Sequence, residues 1–146
     1  MKTRASSFHI RQYLSKDQKA VIDLWQKCNL TRPWNNPKLD IERKLKVNPE
    51  LFLVGLLDNK IIATVMGGYE GHRGWINYLA VDPNYQKRGW GKQIMKAVED
   101  KLLAMGCPKI NLQIRADNLS AASFYKKIGY KMDEVISMGK RLIEEH

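Results

Sequence analysis

At 146 residues, with 44% hydrophobic and 27% charged residues, the chain has the composition of one soluble globular domain, residues 1–146, able to bury a core without disulfide staples. No apolar run is long enough to span a bilayer, residues 1–7 do not read as a signal sequence, and Cys28 and Cys107 lack metal-ligand spacing, so a cytoplasmic protein without a bound metal is expected. The net charge of +10 raises nucleic-acid binding as an alternative, but the basic residues are spread from Lys2 to Arg141 with no dense block, which disfavours it.

Residues 8–13 alternate and read as a first strand. Ser15 and Gln18 have capping-box spacing, and the helix they open carries Val21, Leu24, Trp25 and Cys28 on one face. Pro33 and Pro37 make residues 31–38 at least partly a loop, followed by a short helix over 40–46. Residues 51–57 and 61–66 are predicted strands about a tight turn at Asp58, Asn59 and Lys60. An apolar strand over 75–81 ends at Asp82 and Pro83, and a helix over 91–105 places Ile94, Val98 and Leu102 together. A strand over 109–115, a helix over 118–128 and an extended region over 130–142, with a last strand near 137–142, complete the chain. The order β-α-α-β-β-β-α-β-α-β predicts a mixed α/β fold, a central sheet with helices on both faces.

Two segments carry chemistry. The first is Gln86, Lys87, Arg88, Gly89, Trp90, Gly91 and Lys92, between a strand and a helix. A helix N-terminus offers free backbone N–H groups and the positive end of a dipole to a phosphate, and the two glycines let the main chain approach closely. An ordinary strand–helix turn with two glycines is the alternative for this segment alone. The second runs from Asn118 to Tyr130. Asn118 is a plausible N-cap, Gly129 a plausible C-cap, and Ala121 and Tyr125 share a helical face.

With both segments in this order, the chain resembles the GNAT superfamily of acetyl-CoA-dependent N-acetyltransferases, over at least residues 52–130. The first segment matches the family's (Gln/Arg)-x-x-Gly-x-(Gly/Ala) pyrophosphate loop, the second its Asn-x-x-Ala-x-x-x-Tyr-x-x-x-Gly-(Phe/Tyr) helix. Arg32, Pro33, Trp34 and Asn35, with residues 139–144, look most like small bacterial YpeA-type acetyltransferases. The resemblance implies a splayed sheet, with the acetyl-pantetheine arm beside the backbone of Leu79, Ala80 and Val81 and the pyrophosphate on the amides of residues 87–92. It also implies that Asn118 bonds the arm and that Tyr125 sits beside the thioester sulfur as general acid. A backbone N–H, that of Leu79, would stabilise the developing oxyanion. Coenzyme A carries several phosphate charges, which explains part of the basic surplus.

The general base stays open. Related bacterial ribosomal-protein acetyltransferases carry a glutamate where this chain has Gln113, which cannot accept a proton at neutral pH. Glu70 is the candidate taken here, in a glycine-rich connection expected at the mouth of the gap, with His72, Asp40 and Glu42 as alternatives. The expected partners are acetyl-CoA or CoA and an amine acceptor of unspecified identity. An acyl-CoA-binding regulatory module without turnover is the alternative function, and homodimer formation stays open.

Overall fold

The computed structural model describes residues 7–144. Five strands, β1 (Phe8–Gln12), β2 (Phe52–Leu57), β3 (Lys60–Tyr69), β4 (Gly74–Val81) and β5 (Ile110–Leu112), form one sheet in the order β1-β2-β3-β4-β5. The first four are antiparallel neighbours, and β5 runs parallel to β4. Helices α1 (Gln18–Lys27) and α2 (Pro37–Lys44) precede β2, α3 (Trp90–Ala104) joins β4 to β5, and α4 (Leu119–Lys127) follows β5.

The sheet separates two apolar clusters. Val21, Leu24 and Trp25 of α1 and Ile41 of α2 pack with Phe52, Val54, Leu56 and Ala80. Ile94, Met95, Val98 and Leu102 of α3 pack with Leu53, Ala63, Val65 and Ile76, and Phe124 and Tyr125 of α4 lie against that cluster. Every residue of β2 is buried, so its sequence is continuously apolar rather than alternating.

Several boundaries differ from the sequence reading. Ser15 does not cap α1. Residues 15–17 make a single 3-10 turn, and Asp17, not Gln18, reaches back to accept from the Leu14 N–H at 2.9 Å. Burial alone would raise the Asp17 pKa, but two hydrogen bonds from Arg11, at 2.7 and 3.0 Å, and the Leu14 N–H hold it below the usual carboxylate range. Helix α2 begins at Pro37, where a proline loses no helical hydrogen bond, and Asn36 caps it by accepting from the Leu39 N–H at 3.2 Å. Strand β3 runs to Tyr69, leaving only residues 70–73 as the turn into β4. The strand predicted over 109–115 is three residues long, and no strand forms over 137–142. β5 pairs with β4 alone, and no backbone hydrogen bond reaches residues 131–144 among the described residues.

Candidate active site

β4 and β5 pair only from Gly74 with Ile110 to Ile76 with Leu112, after which β4 continues alone on that side through Val81. The sheet is therefore split between residues 77–81 and residues 113–117, the gap expected from the sequence. A cleft of about 1770 Å³ occupies this region, and Asn35, Asn77, Arg115, Asn118 and Tyr125 are among the residues lining it.

A β-bulge shapes the β4 wall. Thr64 faces Ala80 and Met66 faces Asn77, so Tyr78 and Leu79 together oppose Val65. Tyr78 takes a left-handed φ of 50°, a conformation a bulky residue adopts only when its surroundings hold it there. Its ring stacks on Trp25 at 3.8 Å. The Trp25 indole donates to Thr64 Oγ1 at 2.9 Å, and that hydroxyl donates to the Tyr78 carbonyl at 2.9 Å. The Tyr78 hydroxyl donates to Asp40 Oδ2 at 2.5 Å and accepts from Asn35 Nδ2 at 3.2 Å. The sequence reading found Asp40 but missed Tyr78 and Thr64. No local signal marks them, because the bulge exists only once α1, α2 and β3 are packed.

Beyond Val81 the chain turns into α3. Buried Asp82 accepts from the Asn84 N–H at 2.9 Å and pairs with Lys27 at 3.5 Å. Gln86 folds back to donate from Nε2 to the Val81 carbonyl at 2.9 Å. Lys87 and Gly89 both have positive φ, 64° and 88°. The consequence is a run of backbone N–H groups, residues 87–92, that donate to no acceptor among the described residues. A Cβ at Gly89 would meet nothing within 4 Å, so the loop faces open space there. At Gly91 a Cβ would lie 3.2 Å from the Phe124 ring, so this glycine also serves the packing of α4 on α3. Trp90 stacks on Phe8 at 4.6 Å, with its indole nitrogen buried and without a partner among the described residues. Arg88 lies over the Tyr85 ring at 5.7 Å and Lys60 over the same ring at 5.2 Å, adding charge near the loop.

On α4, Asn118 Oδ1 caps the helix by accepting from the Ala121 N–H at 3.1 Å and also accepts from the Ser120 hydroxyl at 3.2 Å, leaving the side-chain NH2 without a partner among the described residues. Tyr125 packs edge-on between Phe124 and Tyr130, at 5.2 and 5.5 Å. Its hydroxyl bonds no described residue, and burial pushes its pKa up to about 12. Tyr130 donates instead to Glu99 at 2.6 Å.

Asn118 and Tyr125 thus line one cleft together with Asn77 of β4, while residues 86–92 follow the end of β4 and are not among the residues lining it. Glu70 is not among them either. It is exposed in the β3–β4 turn, where its Oε1 accepts from the His72 N–H at 2.8 Å and from the Arg73 N–H, which lowers its pKa. The turn precedes Gly74, where β4 and β5 are still paired, so it sits at the closed end of the split. Gln113 donates to Ser137 and offers no base either. Cys28 donates to the Val81 carbonyl at 3.3 Å, and burial raises its pKa to about 11, which fits a packed thiol.

The sequence profile of the acetyltransferase (GNAT) family matches residues 14–130. Acetyltransferase SG1711 of Sodalis glossinidius is 49% identical over 137 residues, covering 93% of this chain and 96% of that protein. Acetyltransferase ECA0875 of Pectobacterium atrosepticum is 48% identical over 136 residues, covering 93% and 96%. Among solved structures, Ard1 from Thermoplasma volcanium superposes with a TM-score of 0.79 at 26% identity, over 86% of this chain and 84% of that one. The aminoglycoside N-acetyltransferase AAC(6')-Iy in complex with CoA gives 0.76 at 18% identity, over 98% and 100%, a likeness of fold. With the split sheet, the phosphate-type loop and these relatives in agreement, the chain belongs to the GNAT family of acetyltransferases.

Proposed function

We propose that the chain binds acetyl-CoA in the split of the sheet and moves the acetyl group to an amine by direct attack in a ternary complex. The run of free N–H groups at residues 87–92, with open space before Gly89, carries this reading, since it has the chemistry a pyrophosphate needs. The free NH2 of Asn118 and the backbone of Leu79, Ala80 and Val81 suit the amide groups of a pantetheine arm. The bound thioester supplies the activated acetyl group; the rest is done by the chain. Tyr125, which lines the cleft, presents an unspent hydroxyl as donor to the departing sulfur, and this reading assigns the developing oxyanion to the Leu79 N–H within the bulge.

For the base, Glu70 is replaced in this reading by Asp40 acting through Tyr78. The amine proton passes to the Tyr78 oxygen as the Tyr78 proton passes to Asp40, so the proton ends on Asp40 of α2 and neutralises its carboxylate. Acetyl-CoA at millimolar concentration is expected to raise the melting temperature, and CoA is expected to be released with at least one member of a panel of amines and peptides. No thermal shift would sink the reading. A shift without thioester loss across the panel would favour a binding module instead.

A further inference from the structure

The face of the sheet toward α1 and α2 is covered on one half only. Val21, Leu24, Trp25 and Ile41 pack over β2, Met66 and Ala80, and no residue of β5 joins that cluster. Ile76 of β4 and Ile110 and Leu112 of β5 belong to the opposite cluster, with α3. By alternation, Trp75 and Asn77 of β4 and Asn111 of β5 point toward the uncovered half, and all three line the cleft. Trp75 is 39% exposed, and Trp34, on the loop before α2, is 44% exposed and lines the same cleft. Bare aromatic surface gathered in one concave place marks a binding surface.

The charge of this cleft is one-sided. Its carboxylates are already engaged: Glu99 accepts from the Tyr130 hydroxyl at 2.6 Å, Asp100 pairs with Lys96, and Asp133 pairs with Lys109 at 2.8 Å. Its arginines are not. Arg32 takes no ion-pair partner among the described residues, and Arg115 has only exposed Asp117, at a loose 3.9 Å. The Arg115 guanidinium lies over the Trp34 ring at 5.7 Å, and Arg141 donates to the Trp34 carbonyl at 3.4 Å. A guanidinium presents a flat fork of donors that matches a carboxylate.

The same loop reaches the proposed base. Asn35, next to Trp34, donates to the Tyr78 hydroxyl, which donates to Asp40. The Asn35 N–H donates to the Arg32 carbonyl at 2.9 Å, so residues 32–35 form one tight turn with arginine at one end and the Tyr78 contact at the other. We infer that the acceptor is a small primary amine that also carries a carboxylate, the carboxylate held by Arg32 and Arg115 beside Trp34 while the amine meets Tyr78. This inference rests on the acetyl-transfer reading above and adds to it the charge and size of the acceptor. One turn is the scale of an amino acid or dipeptide, and the side-chain amides of Asn77 and Asn111 suit a peptide bond lying across them. A polycation such as spermidine meets the wrong sign of charge.

The test is CoA release from acetyl-CoA with alanyl-glutamine, its C-terminal amide, the amide of alanyl-glutamate, and spermidine. At least one carboxylate-bearing dipeptide is expected to exceed alanyl-glutamine amide about tenfold or more in kcat/KM, mainly through KM, with spermidine poorest. Alanyl-glutamine exceeding its amide identifies a terminal carboxylate, and alanyl-glutamate amide exceeding alanyl-glutamine amide identifies a side-chain one. Arg32→Gln and Arg115→Gln should each shrink that preference about tenfold, and Arg115→Glu should turn it toward spermidine, with melting temperatures checking that each variant is folded. Parent enzyme that uses the uncharged amide or spermidine as well as the carboxylate forms would overturn the inference, as would a preference untouched in both glutamine variants. If acetyl-CoA binds and no amine releases CoA, the turnover reading fails separately. Calorimetry of the same dipeptides on the CoA complex then decides the inference: tighter binding of a carboxylate form supports it, and equal or weaker binding overturns it.

Discussion

The Tyr125 phenol keeps its proton through the whole neutral range because burial pushes its pKa up to about 12. An ordinary thiol titrates near about 8.5, so outright proton transfer from this phenol to a thiolate is uphill. In the proposed mechanism Tyr125 therefore serves first as a hydrogen-bond donor to developing charge on sulfur. Tyr125→Phe keeps the ring and its edge-on contacts with Phe124 and Tyr130, so acetyl-CoA affinity should hold while turnover drops by about 10²–10⁴. In the parent, the pH–rate profile should have no descending limb from this group below about pH 10. A phenylalanine variant as fast as the parent from about pH 6 to about pH 9 would make Tyr125 a packing residue. Asp40 is tested differently, because it and Tyr78 form one unit. Asp40→Asn and Tyr78→Phe should each lower kcat/KM about a hundredfold, and the double variant should be no worse than either alone. Additive losses in steady-state kinetics would separate the two residues and end the relay.

Among the elements, the loop before α3 and the cap of α4 were readable because both are local: their hydrogen bonds close within a few residues. The two glycines of the loop looked alike in sequence and are not. Gly89 is left-handed with open space in front, while Gly91 is a contact point for Phe124. Gly89→Val should weaken CoA binding first, by filling the space before the free N–H groups, with a stability loss of about 1–2 kcal/mol from the φ alone. Gly91→Val should cost about 1–3 kcal/mol of stability through overpacking against α4. Equal effects of the two on melting temperature and on CoA affinity, measured by calorimetry, would refute the assignment. What the sequence concealed depends on distant partners. Asp17 replaced the expected cap because Arg11 of β1 is there to hold it, and the β3 strand outran its apolar pattern because β4 pairs with it as far as Tyr69. Glu70 was misplaced for the same reason. Its glycine-rich surroundings are mostly strand, not a loop over the cleft.

For the molecule as a whole, the proposed function has the split in the sheet set where the ligand enters and the net charge set how fast. The formal charge of +10 is spread along the chain, yet Lys87, Arg88 and Lys92 sit at the loop of free N–H groups, with Lys60 beside Arg88 on the Tyr85 ring. In the proposed function a phosphate-bearing ligand is drawn in by the long-range field and held by the short-range donors. These two contributions respond differently to salt, since screening acts beyond about 10 Å at 0.1 M while contacts within the loop are screened much less. The association rate of CoA should therefore fall about tenfold or more as salt rises from about 0.05 to about 0.5 M, with the dissociation rate changing far less. Pantetheine, which lacks the phosphates, should bind weakly and with a rate nearly independent of salt. Stopped-flow measurement of both ligands separates the contributions. A CoA association rate indifferent to salt would mean that the basic surplus serves something other than drawing this ligand to the split.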